Sequence, residues 1–189
     1  MDKWRLGVGT NYVDSPMLRD RLCVPIFGYT HLLAISGRAL HGEMPKYWHN
    51  KFPKKKFIYG LHLTEYHDPC IITESFTDVW ILDLLGYSAY AVMSTMLSKW
   101  QIAHIAGRHK SAIVYPHLDQ IGTSNWCELL NRYGVKTVEP FDPYTTNAEP
   151  KSDSTWMYVN ERDHLISELE TCASMLKPKS KNILDLLRG

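Results

Sequence analysis

Four short apolar segments that alternate with helix-like segments constrain the fold of this chain more than any other feature. The four segments are rich in strand-forming residues and run over 70–73, 89–93, 112–115 and 135–138. The intervening sequence predicts helices over 79–85, from a Ser98 cap to Gly107, and over 124–133. Short strands without polar alternation are typical of a parallel sheet covered by helices on both faces. We therefore expect an α/β fold here.

The flanking regions have other patterns. Residues 21–36 predict two short strands around a turn at Gly28, and residues 37–42 predict a loop. The stretch from Pro45 to Gly60 is rich in Lys, Pro and aromatic residues, which favours an exposed connection with little regular structure. Residues 139–156 are loop-like. A last helix is predicted from about Asn160 to Leu176, and its apolar face consists of Leu165, Leu169, Cys172 and Leu176.

The net charge of +1 is unevenly distributed along the chain. Residues 1–65 contain ten Lys/Arg and five Asp/Glu, whereas the remainder contains eleven and fifteen. Such a division suits a polyanion-binding lobe beside a cation-binding lobe, although ordinary surfaces also produce it.

Three carboxylates are predicted to lie where parallel strands end, which is where open α/β sheets bind ligands. Glu74 follows the first strand, Asp78 begins the next helix, and Asp119 lies just beyond the third strand. Converging carboxylates are the ligands that divalent cations such as Mg²⁺ require. Two of these acids also have a purely structural interpretation. A carboxylate at Asp78 would stabilise the N-terminus of the helix through its dipole, and Asp119 suits a turn. His117 beside a proline is equally typical of a loop.

Two further features exclude classes of protein. No apolar run approaches the roughly 18–20 residues of a membrane span, and no apolar stretch follows Met1, so we expect a cytoplasmic protein. The four cysteines form no CxxC or CxxH pair, which argues against a zinc ribbon and favours buried free thiols; they are Cys23, Cys70, Cys127 and Cys172.

Several segments resemble the motifs of DnaG-type primases of bacteria and phages. Residues 72–79, ITESFTDV, look like the "EGxxDV" motif of the Toprim domain, and 119–122, DQIG, look like the second half of "DxDxAG". Residues 94–101, STMLSKWQ, are similar to "GTxLTxxQ". Upstream segments match primases in the same order; they are LRDRLCVPI at 18–26, SGRAL at 36–40, PKYWHN at 45–50 and FPKKKFIYGL at 52–61.

This resemblance implies a fold and a domain organisation. A Toprim-type parallel sheet flanked by helices would occupy residues 67–158, preceded by a small basic α+β subdomain over 1–66. A C-terminal helix and tail would occupy 159–189.

The resemblance also implies functional residues. Glu74 would be a metal ligand or general base, Asp119 a principal metal ligand and Asp78 a supporting acid, with Mg²⁺ or Mn²⁺ as the cofactor. The residues that would hold nucleic acid or nucleotide phosphates are Arg38, Lys46 and Asn50, supported by Arg19 and Arg21 and extended by Lys54, Lys55 and Lys56.

The sequence departs from the primase pattern at two acidic positions. His117 stands where the first aspartate of "DxDxAG" is expected, and imidazole suits Mn²⁺ or Zn²⁺ better than Mg²⁺. The third acidic motif, "DPDE", aligns with residues 151–154, where only Asp153 is acidic and Lys151 replaces the first aspartate. Asp142 and Glu149 are nearby substitutes.

These observations predict a core that synthesises RNA primers on single-stranded DNA from NTPs. Because the matching segments start near residue 4 and one helix follows them, we expect a reduced primase of a phage or mobile element, without a zinc-binding module or a helicase-binding bundle. A replicative helicase or a separate zinc-binding subunit is therefore an expected partner, and a membrane is not. The alternative is a catalytically degenerate core that binds nucleic acid or a replication protein; a Toprim nuclease fits the upstream segments less well.

The tail over 182–187 would either dock on a replication partner or pack on its own core.

Overall fold

The first sheet of the molecule is antiparallel and is built around one hairpin. The structure is a computed structural model that describes residues 2–10, 15–28, 30–115, 123–140 and 154–177. Strands β2 (Arg21–Phe27) and β3 (Leu32–Ala39) form the hairpin, which confirms the two strands predicted around Gly28. Strands β1 (Gly7–Val8) and β4 (Tyr47–His49) flank it, giving the order β1-β2-β3-β4.

Two predictions for this region were wrong in detail. The loop expected over 37–42 begins only after Ala39, because Gly37 pairs with Cys23 on one side and Trp48 on the other. The connection from 45 to 60 is also more ordered than predicted. It contains β4 and a 3₁₀ turn at Lys54–Lys56, and it ends in the buried residues Phe57, Ile58 and Tyr59. Because three lysines precede these residues, the sequence pattern predicted that the whole stretch is exposed.

The second sheet is parallel throughout and has the order β6-β5-β7-β8. Its strands are β5 (Cys70–Thr73), β6 (Ala89–Ala91), β7 (Ser111–Val114) and β8 (Lys136–Val138). All residues of β5, β6 and β7 are buried, as the apolar segments predicted. Strands β5 and β7 are neighbours, so the segments that follow their carboxyl ends leave from adjacent points.

Helices cover both faces of this sheet; they are α1 (Phe76–Leu84), α2 (Lys99–Arg108), α3 (Thr123–Arg132), α4 (Ser154–Asn160) and α5 (Arg162–Leu176). Helix α1 begins three residues before the predicted Val79, since Ser75 caps it by accepting a hydrogen bond from the Thr77 N–H. Ser98 caps α2 as predicted. The prediction of a loop over 139–156 was wrong at its end, where α4 begins at Ser154. Residues 141–153 and the tail over 178–189 lie outside the described residues.

Two hydrophobic clusters lie on opposite faces of the parallel sheet. One is formed beneath α2 and α3 around Ile102, Ile105 and Trp126. The other packs α1 and α5 against the sheet and extends into the antiparallel sheet through Val24 and Ile26. The two sheets therefore share a core, while the predicted boundary at residues 66 and 67 stays a prediction.

One contact joins the two halves at the edge of the parallel sheet. Tyr59 forms an antiparallel bridge with Ala91 on the outer side of β6, with backbone N–O distances of 2.8 and 3.0 Å. The Tyr59 ring stacks on Trp4, and its hydroxyl accepts a hydrogen bond of 2.9 Å from the Trp80 indole N–H.

All four cysteines are free thiols, as predicted, and Cys70 and Cys172 are buried. Within the described ranges, no helix combines the length and the hydropathy that crossing a bilayer requires.

Candidate nucleic-acid and metal site

The carboxyl end of β5 carries Glu74, the first of the predicted acids. The Glu74 carbonyl oxygen accepts a hydrogen bond of 3.0 Å from Met93 N–H, and its side chain is half-buried. On the other side of β5, the Tyr115 N–H donates to the Ile72 carbonyl oxygen at 2.9 Å. Backbone bonds from both neighbouring strands thus fix the position of Glu74.

Asp78 occupies the first turn of α1 and is completely buried. The Thr73 hydroxyl donates a hydrogen bond of 2.7 Å to its carboxylate, Oγ1 to Oδ2. This contact ties the last residue of β5 to α1 and so fixes the segment that carries Glu74. Asp78 therefore has a structural role beyond the favourable placement of an acid at a helix N-terminus, and its part in a metal centre stays a prediction.

The other predicted acids and His117 lie outside the described residues. The chain leaves β7 through Tyr115, next to the end of β5, and Asp119 is four residues further along. Asp142, Glu149 and Asp153 are outside the described ranges as well. Over the part of the chain that is described, no cluster of three His, Cys, Asp or Glu side chains forms a metal site.

A basic face is connected to the start of α1 through two aromatic rings. Arg38 and Lys46 both lie over the ring of Tyr47, with the guanidinium carbon and Nζ 5.5 and 5.8 Å from its centroid. The Tyr47 ring packs edge-on against Phe76, with centroids 5.9 Å apart. Phe76 is the first residue of α1, two positions beyond Glu74, so these ring contacts connect the predicted phosphate-binding cations to the helix that follows Glu74.

Two of the remaining predicted residues have structural contacts. The buried Arg21 guanidinium donates to the Pro45 carbonyl oxygen at 2.7 Å and thereby fixes the residue before Lys46. Asn50 Oδ1 accepts a hydrogen bond of 2.9 Å from the Ile35 N–H, which fastens the residue after β4 to β3. Arg19 is exposed. Direct contact of these residues with nucleic acid stays a prediction.

The lysine turn at 54–56 is held by the N-terminus of α2. The Ser98 hydroxyl donates to the Lys55 carbonyl oxygen at 2.5 Å. The Gln101 amide nitrogen lies 3.1, 2.8 and 3.2 Å from three carbonyl oxygens, those of Lys54, Phe57 and Val92. Lys55 and Lys56 are exposed on this turn.

Gln101 is a positioning residue that the residue-by-residue interpretation missed. It is 1% exposed, and its Oε1 accepts a hydrogen bond from the Ser98 N–H, which completes a capping box. The pattern Ser-x-x-Gln before an apolar helix was the available signal. A capping box alone, however, does not reveal the three long-range carbonyl contacts.

Comparison with solved structures finds this architecture in bacterial primases. The zinc-binding and RNA polymerase domains of the Aquifex aeolicus primase match with a TM-score of 0.66 at 18% identity, over 88% of this chain and 43% of that one. The Escherichia coli primase catalytic core gives 0.65 at 20%, over 81% and 52%. A DnaG primase catalytic domain bound to single-stranded DNA gives 0.65 at 21%, over 82% and 52%. The chain thus spans about half the length of these structures or less.

The chain is an α/β protein with a helix-flanked parallel sheet behind a small antiparallel sheet. More particularly, its fold is that of a DnaG-type primase catalytic core, which confirms the fold that the sequence motifs implied. No protein-family description matches the sequence, and no curated protein does.

Proposed function

We propose that this protein is a primase core that synthesises short RNA primers on single-stranded DNA. The observation that carries the proposal is the contact between Tyr47 and Phe76 within a DnaG-type fold, since it links the ring beneath Arg38 and Lys46 to the helix that begins two residues after Glu74. Primer synthesis requires this combination of cations for phosphates and carboxylates for the reacting centre.

In the proposed reaction, a 3′-hydroxyl attacks the α-phosphorus of an NTP and pyrophosphate leaves. Glu74 accepts the hydroxyl proton or ligates metal, and its half-buried carboxylate at a strand end suits either role. Arg38 and Lys46 bind the phosphates, and Tyr47 holds these two cations together.

The residues that would hold Mg²⁺ or Mn²⁺ are Glu74, Asp119 and His117. When bound, such an ion neutralises phosphate charge and activates the attacking hydroxyl. Glu74 fits this function as a hard oxygen ligand, and buried Asp78 would support the segment that carries Glu74 through its bond with Thr73. The imidazole at position 117 favours Mn²⁺ over Mg²⁺.

The template and NTPs are the proposed substrates, and a further protein aids template recognition. The Aquifex structure pairs a zinc-binding domain with its polymerase domain. A zinc-binding subunit or a replicative helicase is the corresponding proposed partner of this chain.

The test is primer synthesis by purified protein with single-stranded DNA, labelled NTPs, and Mg²⁺ or Mn²⁺. We expect short RNA that is abolished by Glu74→Gln and reduced by Lys46→Ala. Glu128→Gln is the matched control, because it removes an exposed carboxylate on α3. Undiminished product from Glu74→Gln would contradict the assigned centre. The assay should be repeated with the helicase or zinc-binding partner if no product forms.

A catalytically degenerate binding module is the second candidate. The complete burial of Asp78 supports it, because this carboxylate does not face an incoming substrate. His117 and the loss of the third acidic motif support it as well. This candidate predicts that the protein makes no RNA with either Mg²⁺ or Mn²⁺, even when a partner is present. It also predicts that the protein still binds DNA and that Lys46→Ala weakens this binding.

A further inference from the structure

A groove on the outer face of α2 shares none of its lining residues with the Glu74 strand end or with the basic face around Tyr47. Its cavity of about 340 Å³ is lined by Leu61, Ala103, His104, Gly107 and Arg108. This volume falls within the range of about 300–1,000 Å³ that is usual for small-molecule sites.

The groove contains an aromatic ring that is held in a fixed position. His104 stacks on Trp100 one turn earlier, with ring centroids 3.6 Å apart and an interplanar angle of 26°. His104 Nδ1 also lies 2.9 Å from the Trp100 carbonyl oxygen, and since a carbonyl only accepts, Nδ1 is the donor. Trp100 covers one face of the imidazole, so the ring presents its remaining surface to the cavity.

A guanidinium forms another wall of the groove. Arg108 donates from Nη1 to the Leu61 carbonyl oxygen at 2.9 Å, and its guanidinium lies over the Tyr66 ring, 5.8 Å from the centroid. These contacts hold a planar cation with five N–H donors at the cavity. The surrounding sequence is cationic, because residues 99–110 include Lys99, Arg108 and Lys110 and no Asp or Glu.

Gly107 keeps the groove open. A Cβ added there would have no heavy atom within 4 Å, so no packing contact requires glycine at this helical position. Glycine is the poorest helix former apart from proline, and its presence in α2 therefore needs another reason. The absence of a side chain leaves room for a ligand between His104 and Arg108.

We infer that this groove is a second contact site for single-stranded DNA, in which a base stacks on His104 and Arg108 meets a neighbouring phosphate. Aromatic rings interleaved with cations are the surface that single strands recognise, because every base has a stacking face and every linkage is anionic. The lysine turn at 54–56 is bound to the N-terminus of the same helix. The site deepens the proposed function by extending the path of the template, and in that respect rests on it.

The test is photocrosslinking of an oligothymidylate that contains 5-iododeoxyuridine. Trypsin cleaves after Lys99 and Arg108, so the four lining residues that α2 contributes lie within one peptide, residues 100–108. We expect a crosslink in this peptide. Gly107→Phe, which fills the groove, should remove the crosslink and weaken oligonucleotide affinity at least about fivefold. Gly107→Ala should retain both.

Thr171→Phe is the matched control, because it adds the same side chain to an exposed position of α5, on the opposite face of the sheet. It should leave both readouts unchanged. His104→Ala is a second variant, expected to weaken binding similarly without adding bulk. Thermal melting of each variant separates loss of binding from loss of fold.

The outcomes distinguish this site from the primase proposal. Unchanged affinity in Gly107→Phe and His104→Ala, or a crosslink only outside residues 100–108, overturns the groove site. If Lys46→Ala then still weakens binding, the primase proposal survives alone. A crosslink at 100–108 that Gly107→Phe removes, in a protein that makes no RNA, supports the groove without the catalysis. If dTTP at the same concentration as the oligonucleotide abolishes the crosslink, the groove binds a nucleotide, and the proposal that its ligand is single-stranded DNA is overturned.

Discussion

The Thr73 hydroxyl donates a hydrogen bond of 2.7 Å to the carboxylate of Asp78, and both residues are completely buried. The bond spans the turn that contains Glu74. The geometry of the acidic strand end therefore depends on a polar contact within the core, where such contacts are expensive to break.

Thr73→Val should lower the free energy of unfolding by about 1–3 kcal/mol, because it keeps the shape of the side chain but removes a donor from a buried carboxylate. Chemical denaturation measures this change. Thr171→Val on the exposed face of α5 is the control and should change stability by less than about 0.5 kcal/mol. Equal effects of the two substitutions would show that the bond contributes nothing.

Gln101→Glu should destabilise the protein by about 3 kcal/mol or more, because a carboxylate would replace an amide that donates toward three carbonyl oxygens. Because the lysine turn loses one of its two attachments to α2, the salt dependence of DNA binding should also become shallower.

Asn131→Asp is the matched control for Gln101→Glu. It makes the same amide-to-acid change at an exposed side chain whose Oδ1 accepts from the Thr137 N–H, a role that a carboxylate retains. Denaturation midpoints and binding isotherms at several salt concentrations test both variants. A Gln101→Glu protein that is as stable as the control contradicts the positioning role.

Acid should destabilise the protein through His109. Burial lowers the pKa of this imidazole to about 4, and Asp68, whose Oδ1 lies 3.7 Å from Nδ1, opposes the shift only partly. The unfolded chain, with a pKa near 6.5, then binds the proton more readily than the folded one. Stability is complete above about pH 6.5 and falls by about 3 kcal/mol as the pH drops to about 4.

His109→Gln should flatten this pH profile, although its absolute stability will be lower because the ring contacts with Tyr66 and Tyr90 are lost. His31→Gln, at an exposed position, should retain the wild-type slope. Unfolding measured from pH 4 to 7.5 gives the slopes, and an unchanged slope in His109→Gln would assign the acid sensitivity elsewhere.

Gly60→Ala should be among the most destabilising small substitutions. Gly60 has a φ of +89°, and a Cβ there would lie 2.8 Å from the Ala89 carbonyl oxygen. Gly42 has nearly the same φ, +88°, with nothing within 4 Å of an added Cβ. Gly42→Ala therefore measures the conformational cost of about 1–2 kcal/mol alone. Calorimetry should show a larger loss in Gly60→Ala, and equal losses would mean that the Ala89 contact relaxes freely.

The parallel sheet was well predicted because strands β5, β6 and β7 are buried on both faces and therefore consist of short segments with almost no polar residues. Prediction failed where a local pattern competes with a tertiary contact. Phe57 to Tyr59 follow three lysines and look exposed, yet they are buried because Tyr59 pairs with Ala91 across the fold. Similarly, the position of Asp78 at a helix start was predictable, but its bond to Thr73 depends on how α1 packs against β5.

The bridge between Tyr59 and Ala91 has a consequence for solubility. The outermost strand of a parallel sheet normally offers unpaired N–H and C=O groups, on which strands of other molecules can assemble. At Ala91 both groups are already bonded to Tyr59. Tyr59, a single extended residue, therefore prevents a strand of another molecule from pairing with β6 at Ala91. A protein that lost this bridge would expose unpaired backbone groups there, and aggregation could start from them.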